Sequence, residues 1–315
     1  MTYARVVEDS ISPEGVRLTT IEGRFNRFVL SEANTHRVLS KNSASSRAIP
    51  LAKQITKIKD DLAYPVVFPA EQKGMQGGAE IEDPERAREE WAYAAHNAVE
   101  VAEALAELGV HKSVSNRLLE PFMWHTVVFT ATAWDNFFLQ RCSPLAQPEI
   151  RVFAEAAEKT MAESTPKILR PGEWHLPYVT EEDWEAVRRE EYKDVQNLGK
   201  SMYPTMTKIS SARCAGVSYM TQGGKRDYKI DLKIYEKLTT AQPPHWSPLE
   251  HVATPWPQNR QVRAGKDVAD RMGFNSVEGA YLEATTNHLP RVGNLLAWRS
   301  LRTEVEAAQG LRTFR

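Results

Sequence analysis

The sequence predicts one α+β domain with helical insertions. Three observations predict it: an alternating stretch at residues 16–30, a long amphipathic run beginning at Asp83, and no clean linker along 315 residues. VRLTTIEGRFNRFVL (16–30) alternates and then turns apolar, which reads as strands meeting near Gly23. Its FVL end runs into SEANTHR, where a helix or turn begins. AIPLAKQITKIKDD (48–61) reads as a short helix and PVVFPA (65–70) as an extended piece. EQKGMQGGAEIED (71–83) is polar and glycine-rich, the composition of a mobile loop. The strongest helix follows as an insertion over 84–109: Asp83 suits the N-cap, Pro84 the first position, and Gly109 the end.

LEPFMWHTVVFTATAWDNFFLQR (119–141) is apolar on most faces and predicts a buried helix. QPEIRVFAEAAEKTMAEST (147–165) predicts an amphipathic helix, and RPGEWHLPYV (170–179) a turn leading to an extended segment. A capping box from Thr180 to Asp183 starts the next helix. SSARCAGVSYM (210–220) reads as a strand, GGKRD (223–227) as a turn, and LKIYEKLTTA (232–241) as a short helix. After PPHWSPLEHVATP (243–255), a last helix is expected over 293–309. PGEWHLP (171–177) is explained by turn chemistry and an aromatic anchor, and is given no catalytic role.

Composition limits the function classes. The chain is 42% hydrophobic and 26% charged with a net charge of -1, so no global field draws it onto nucleic acid or an acidic membrane. Two cysteines without a CxxC pair argue against a disulfide framework, and both read as buried structural thiols. Eight histidines without HxH or HxxxH spacing give no metal site. No apolar run reaches ~18 residues, so no membrane-spanning helix is expected. The start lacks a basic segment followed by an apolar stretch, so no signal peptide is expected, and a cytoplasmic protein is.

Against that neutral background, NTHRVLSKNSASSR (34–47) packs Arg37, Lys41, Arg47, His36 and four serines without one acid. Arginine forks and serine hydroxyls make an anion cradle beside a strand end. Composition alone favours a solvated basic helix face. Taken singly, Arg117 reads as a helix cap and Arg141 as a cation at a helix C-terminus. His251 likewise reads as a core histidine and Glu250 as a surface ion pair.

The stretch also resembles the RHRx7S signature of flavin-dependent thymidylate synthases, here Thr35-His36-Arg37, seven residues, Ser45, then Arg47. NRLLEPF (116–122) is similar to that family's AR-x-x-LP element, and FFLQR followed by AQPEIR to FxxLR and AQWEIR. ARCAGVSY (212–219) and SPLEH (247–251) resemble ARVSY and SPFEH. In common members these last two elements precede the signature. Here they follow it, which looks like a circular permutation, a change tolerated where termini lie close at the surface.

The resemblance implies a central, mostly antiparallel sheet flanked by helices in a single catalytic domain spanning 1–315 with permuted motif order. It implies a homo-oligomer, a tetramer in the family, whose sites lie between subunits. The implied reaction is methylation of dUMP at C5 to dTMP. Methylenetetrahydrofolate gives the carbon, and reduced FAD, regenerated by NADPH, gives the hydride. By position, Ser45 and Arg47 would bind the nucleotide phosphate and sugar, with Arg117 also on the nucleotide. Arg141 would act at the pyrimidine edge, where a fixed cation favours enolate-like charge, so Arg141 and Ser45 are the catalytic candidates. His36, Arg37, Asn136, Ser218, Glu250 and His251 would line the flavin. Three positions depart from the family: Thr35 replaces the first arginine, Ser43 an acid, and Glu32 a glutamine. Glu32 and Ser43 still fall on the substrate side. An ionised carboxylate accepts hydrogen bonds but cannot donate them, so dCMP or hydroxymethyl transfer is an alternative, as is a non-catalytic nucleotide-binding relative. Sequence-nonspecific RNA binding is disfavoured by the net charge and the lack of aromatics among the basic residues.

Overall fold

The computed structural model describes residues 1–193, 200–217, 227–257, 289 and 291–310. A five-stranded sheet organises them. Strands β1 (Tyr3–Ile11), β2 (Arg17–Asn26), β3 (Ser40–Ser43), β4 (Trp124–Ala131) and β5 (Lys167–Ile168) lie in the order β3-β4-β2-β1-β5. All pairings are antiparallel except the short β1–β5 edge, so the expected mostly antiparallel α+β architecture is present.

Helices cover the sheet. α1 (Leu30–Thr35), α2 (Leu51–Asp60), α3 (Pro84–Glu107) and the short α4 (Lys112–Ser115) precede β4. α5 (Asp135–Arg141), α6 (Pro148–Glu163), α7 (Glu181–Glu191), α8 (Tyr203–Ala215), α9 (Tyr228–Thr240) and α10 (Leu301–Ala308) follow it. Asp83 caps α3 by accepting from the Arg86 N–H at 3.1 Å, and the Thr180–Asp183 box caps α7. The main core joins Ile21, Phe25, Val127 and Phe129 of the sheet to Phe137 and Phe153 of the helices.

Four expectations need correction. Residues 119–141 are not one helix: a 3-10 turn (Asn116–Phe122), strand β4 and helix α5 share them. Thr126, Val127, Val128 and Thr130 favour a strand, and β4 is paired on both edges and buried along nearly its whole length. Such a strand shows no alternation, so its apolar run resembles a buried helix.

The ARCAG segment is helical rather than a strand, because α8 runs through Ala215. Met206 and Ile209 are buried together with Ser210, Ser211, Ala212 and Cys214, so the helix has no polar face to reveal its period.

The stretch 16–30 is a single strand that continues through Gly23, and its FVL end is a 3-10 turn (Arg27–Val29) leading into α1. Gly23 marks a close approach. A Cβ there would lie 2.1 Å from Cε2 of Phe153, so the ring packs directly on the strand backbone.

The expected last helix over 293–309 begins only at Leu301. Before it, β8 (Leu295–Leu296) pairs with β7 (Arg291–Val292), and β9 (Trp298–Ser300) pairs with β6 (Ala253–Pro255). Gly293 and Ala297 hold φ of 60° and 59°, left-handed values that no helix accommodates.

Candidate functional site

β3 is the edge strand of the sheet and carries the middle of NTHRVLSKNSASSR. His36 and Arg37 precede it, and Ser45 and Arg47 follow it. At ~3.4 Å per residue, four strand residues separate the two ends by more than 10 Å, so they form two separate clusters.

At the first end, α1 terminates and its carbonyls meet cations. The Lys41 ammonium donates to the carbonyls of His36 at 2.6 Å and Ala33 at 3.4 Å. Burial lowers the Lys41 pKa to about 8, opposed by the Glu250 carboxylate. Arg141, the last residue of α5, crosses to this turn. Its Nε donates to His36 Nε2 at 2.8 Å, and Nη2 to Thr35 Oγ1 at 3.0 Å and to the Glu32 carbonyl at 3.3 Å. Nη1 makes no hydrogen bond with a described residue. The His36 ring meets Phe137 edge-on at 5.0 Å. Burial first, then Arg141 and Lys41, lower its pKa to about 4. His36 is therefore neutral at pH 7, accepts at Nε2 and carries its proton on Nδ1. The Glu32 carboxylate engages its neighbour Ser31 at 2.7 Å, and Asn136 lies exposed on α5. The Arg37 side chain engages no described residue.

At the second end, Ser45 precedes a 3-10 turn (Ser46–Ala48) without using its hydroxyl as a cap, and Arg47 is exposed. Ser43 ends β3 opposite Val127. This loop is clamped to the turn that bears Arg117. Asn116 donates to the carbonyls of Ser46 at 2.6 Å and Ile49 at 2.9 Å. Glu120 Oε1 accepts from Arg117 at 2.8 Å, from Arg27 at 3.0 Å and from Ser46 Oγ. Ser45, Arg47 and Arg117 thus share one positively charged corner. Arg27, which the sequence reading missed, backs it from the core and pairs with His125 Nδ1 at 2.7 Å.

The two late motifs reach the same edge strand. Asn42 Nδ2 donates to the Cys214 carbonyl at 2.8 Å, and Ser247 Oγ donates to Asn42 Oδ1 at 3.0 Å. One β3 residue therefore ties ARCAG and SPLEH to the opening stretch. Nothing in the sequence singled out Asn42. Glu250 bonds Arg302 at 2.6 Å and lines a cleft of about 170 Å³ with Ser40, Asn294 and Ser300. His251 is fully buried and accepts or donates at Nδ1 with Thr130 at 2.8 Å, while its Nε2 has no partner among the described residues. Ser218 lies outside the described residues. Arg213 of the ARCAG element is structural, held by both Asp183 oxygens at 2.6 Å and by Asp231 at 2.9 Å.

Both cysteines are free thiols, Cys214 buried and Cys142 half-buried. Burial raises both, Cys142 to about 11, so neither is a ready thiolate at neutral pH. Among the described residues no helix is long and apolar enough to cross a membrane.

The sequence model of the thymidylate synthase complementing protein family, Thy1, matches residues 14–167. Two solved structures of the UMP/dUMP methylase PolB from Streptomyces cacaoi, bound with 5-Br UMP and 5-Br dUMP, are each similar at 16% identity. The first covers 52% of this chain and 89% of its own with a TM-score of 0.41, the second 52% and 91% with 0.40. No curated protein matches the chain.

Proposed function

We propose, from the match of residues 14–167 to the thymidylate synthase complementing protein family, that the chain is a member of that family and methylates C5 of dUMP in a flavin-dependent reaction. The observation that carries the reading is the junction of Arg141 with Thr35 and His36, which joins two separate motif segments at one end of β3. When bound, reduced FAD supplies the hydride, NADPH regenerates it, and methylenetetrahydrofolate supplies the carbon.

The residues present fit such a cofactor. Arg37 is a cation without a partner among the described residues, and His251 offers a buried Nε2 likewise without a described partner. With Asn136 and Glu250, these are the residues that would hold it, and Ser218 joins them by its place in the motif.

The substrate side follows from the second end. Arg47 and Arg117 hold the nucleotide phosphate, Ser45 donates its hydroxyl, which has no partner among the described residues, and Arg27 keeps the corner positive from below. Ser43 and Glu32 complete the contacts. Arg141 arrives with Nε and Nη2 already bonded, so its guanidinium is fixed and Nη1 faces the charge that develops as C5 becomes nucleophilic. His36 stays neutral and acts as the acceptor that sets this geometry. No cysteine is required as a nucleophile.

A second reading, action on dCMP or hydroxymethyl transfer, is favoured by Glu32. Its half-buried carboxylate, on the residue whose backbone carbonyl accepts from Arg141, would accept from the exocyclic amine of cytosine, where uracil has a carbonyl. A homo-oligomer in the cytoplasm completes the proposal, and light scattering of the purified protein reads its assembly. The test of the cofactor is the visible absorbance of the protein after incubation with FAD and desalting. Retained flavin that is lost on Arg37→Ala together with Ser218→Ala supports the reading. A protein that stays colourless sinks it and leaves the non-catalytic relative.

A further inference from the structure

Two histidines from separate motif segments are joined through the sheet. His175 lies in PGEWHLP, the stretch for which the sequence supplies no chemical role, and His251 closes SPLEH. His175 Nδ1 is 2.9 Å from Ser10 Oγ on β1, and its Nε2 is 2.7 Å from Thr20 Oγ1 on β2. Thr20 Oγ1 is 2.6 Å from Thr130 Oγ1 on β4, its direct cross-strand partner. Thr130 Oγ1 is in turn 2.8 Å from His251 Nδ1. All five residues are fully buried, at 0% exposure, so bulk water does not complete their bonding. The His175 backbone N–H adds a 2.8 Å bond to the Ala253 carbonyl, which ties the two segments together a second time.

Proton counting sets the polarity of this chain. Three hydroxyls and two neutral imidazoles carry one exchangeable proton each, and four contacts each need one. One proton is left over. If it rests on Ser10, Thr20 or Thr130, a buried hydroxyl is stranded and the His251 Nε2 lone pair is unmatched as well. If it rests on His251 Nε2, that N–H is the single unmatched group. A stranded buried polar group is unfavourable by ~1–3 kcal/mol, so the second arrangement wins. Ser10 then donates to His175, His175 to Thr20, Thr20 to Thr130, and Thr130 to His251.

We infer that this one-way chain holds His251 as the Nε2–H tautomer, with Thr130 as its positioning residue, and that the N–H is a buried donor for an acceptor atom on a bound ligand. Burial keeps both rings neutral, each with its pKa lowered to about 3, which the one-way chain requires. The ligand class is one bearing a carbonyl, ring nitrogen or phosphate oxygen. Its identity as flavin rests on the function proposed above, whereas the tautomer does not.

The experiment is long-range proton–nitrogen NMR of protein labelled with 15N-histidine, before and after FAD is added. In the unliganded wild type, His175 and His251 are expected as the same Nε2–H tautomer. Thr130→Val removes the only partner of His251 Nδ1 among the described residues, so the His251 nitrogens are expected to move to values of mixed tautomers. FAD is expected to shift His251 Nε2 in the wild type and to bind about fivefold more weakly to Thr130→Val, the worth of one net hydrogen bond. A wild-type His251 protonated on Nδ1 overturns the inference, and needs no variant to fold. So does a folded Thr130→Val protein whose His251 nitrogens are unmoved, or bound FAD that leaves His251 Nε2 unshifted. If FAD fails to bind at all, the functional reading falls, while the unliganded spectrum still decides the tautomer.

Discussion

The Arg141 guanidinium donates from Nε to Nε2 of His36 at 2.8 Å, joining the end of α5 to the turn after α1. The bond fixes both partners. It sets the His36 tautomer, and it leaves one guanidinium nitrogen, Nη1, without an acceptor among the described residues.

Arg141→Lys keeps the charge and loses the fork. A lysine ammonium cannot hold His36, Thr35 and a substrate in one plane. Turnover of dUMP is expected to fall by about 10²–10³, the scale of losing one preorganised donor to developing charge. A second readout separates this from misfolding. In Arg141→Ala, the His36 pKa, lowered to about 4 partly by Arg141, is expected to rise, measured by NMR titration. An unchanged His36 titration contradicts the contact.

The corner of Ser45, Arg47 and Arg117, proposed to hold the nucleotide phosphate, predicts a different kinetic signature. Arg47→Ala and Arg117→Ala each remove a charge-assisted bond worth ~1.5–3 kcal/mol, so KM for the nucleotide is expected to rise about tenfold to a hundredfold. kcat at saturation changes less, because these contacts are made equally in ground and transition states. If the loss falls on kcat with KM unmoved, the assignment of this corner is wrong.

Gly23 predicts stability rather than activity. A Cβ there would lie 2.1 Å from Cε2 and 2.6 Å from Cζ of Phe153, a ring buried among Phe25, Phe129 and Phe137. The ring has no free direction in which to yield. Gly23→Ala is expected to destabilise by at least the ~1–3 kcal/mol of overpacking, read from urea unfolding. An unchanged midpoint would show that the sheet and α6 are not packed this closely.

Acid sensitivity follows from the buried histidines. Burial lowers His36 to about 4 and His125, His175 and His251 to about 3. As pH falls through ~6.5, the unfolded chain takes up protons that the folded chain refuses, so stability present at neutral pH is lost. Glu8 acts in the opposite sense, since burial raises it to about 7 and the folded chain keeps its proton. Near pH 5.5 the net uptake on unfolding is about three protons, which gives a slope of ~4 kcal/mol per pH unit. Urea unfolding at pH 5 and pH 6 measures it, and equal stabilities would contradict the burial of these rings.

Parts of this architecture were legible in the sequence for identifiable reasons. The α3 and α7 helices announce themselves through Asp83, Pro84 and the Thr180–Asp183 box, which are local signals. The HRx7SxR spacing singled out residues on both sides of β3, although the sequence reading expected a helix face or turn there rather than a strand, and FFLQR led to Arg141. What was hidden depends on tertiary context. β4 has neighbours on both edges, which erases its alternation, and α8 buries polar and apolar residues alike from Ile209 to Cys214, which erases its period. Asn42 and the polar chain from Ser10 to His251 carry no sequence signal at all. Their partners lie far along the chain, 172 positions for Asn42 to Cys214 and 155 for Thr20 to His175.

The most direct test of the central claim is tritium release from C5-tritiated dUMP, with FAD, NADPH and methylenetetrahydrofolate present and C5-tritiated dCMP run in parallel. Release from dUMP that requires all three additions and is lost in Arg141→Ala is the result expected. Release from dCMP alone would move the substrate to the second reading. A folded, nucleotide-binding protein that releases tritium from neither would contradict flavin-dependent C5 methylation by this chain.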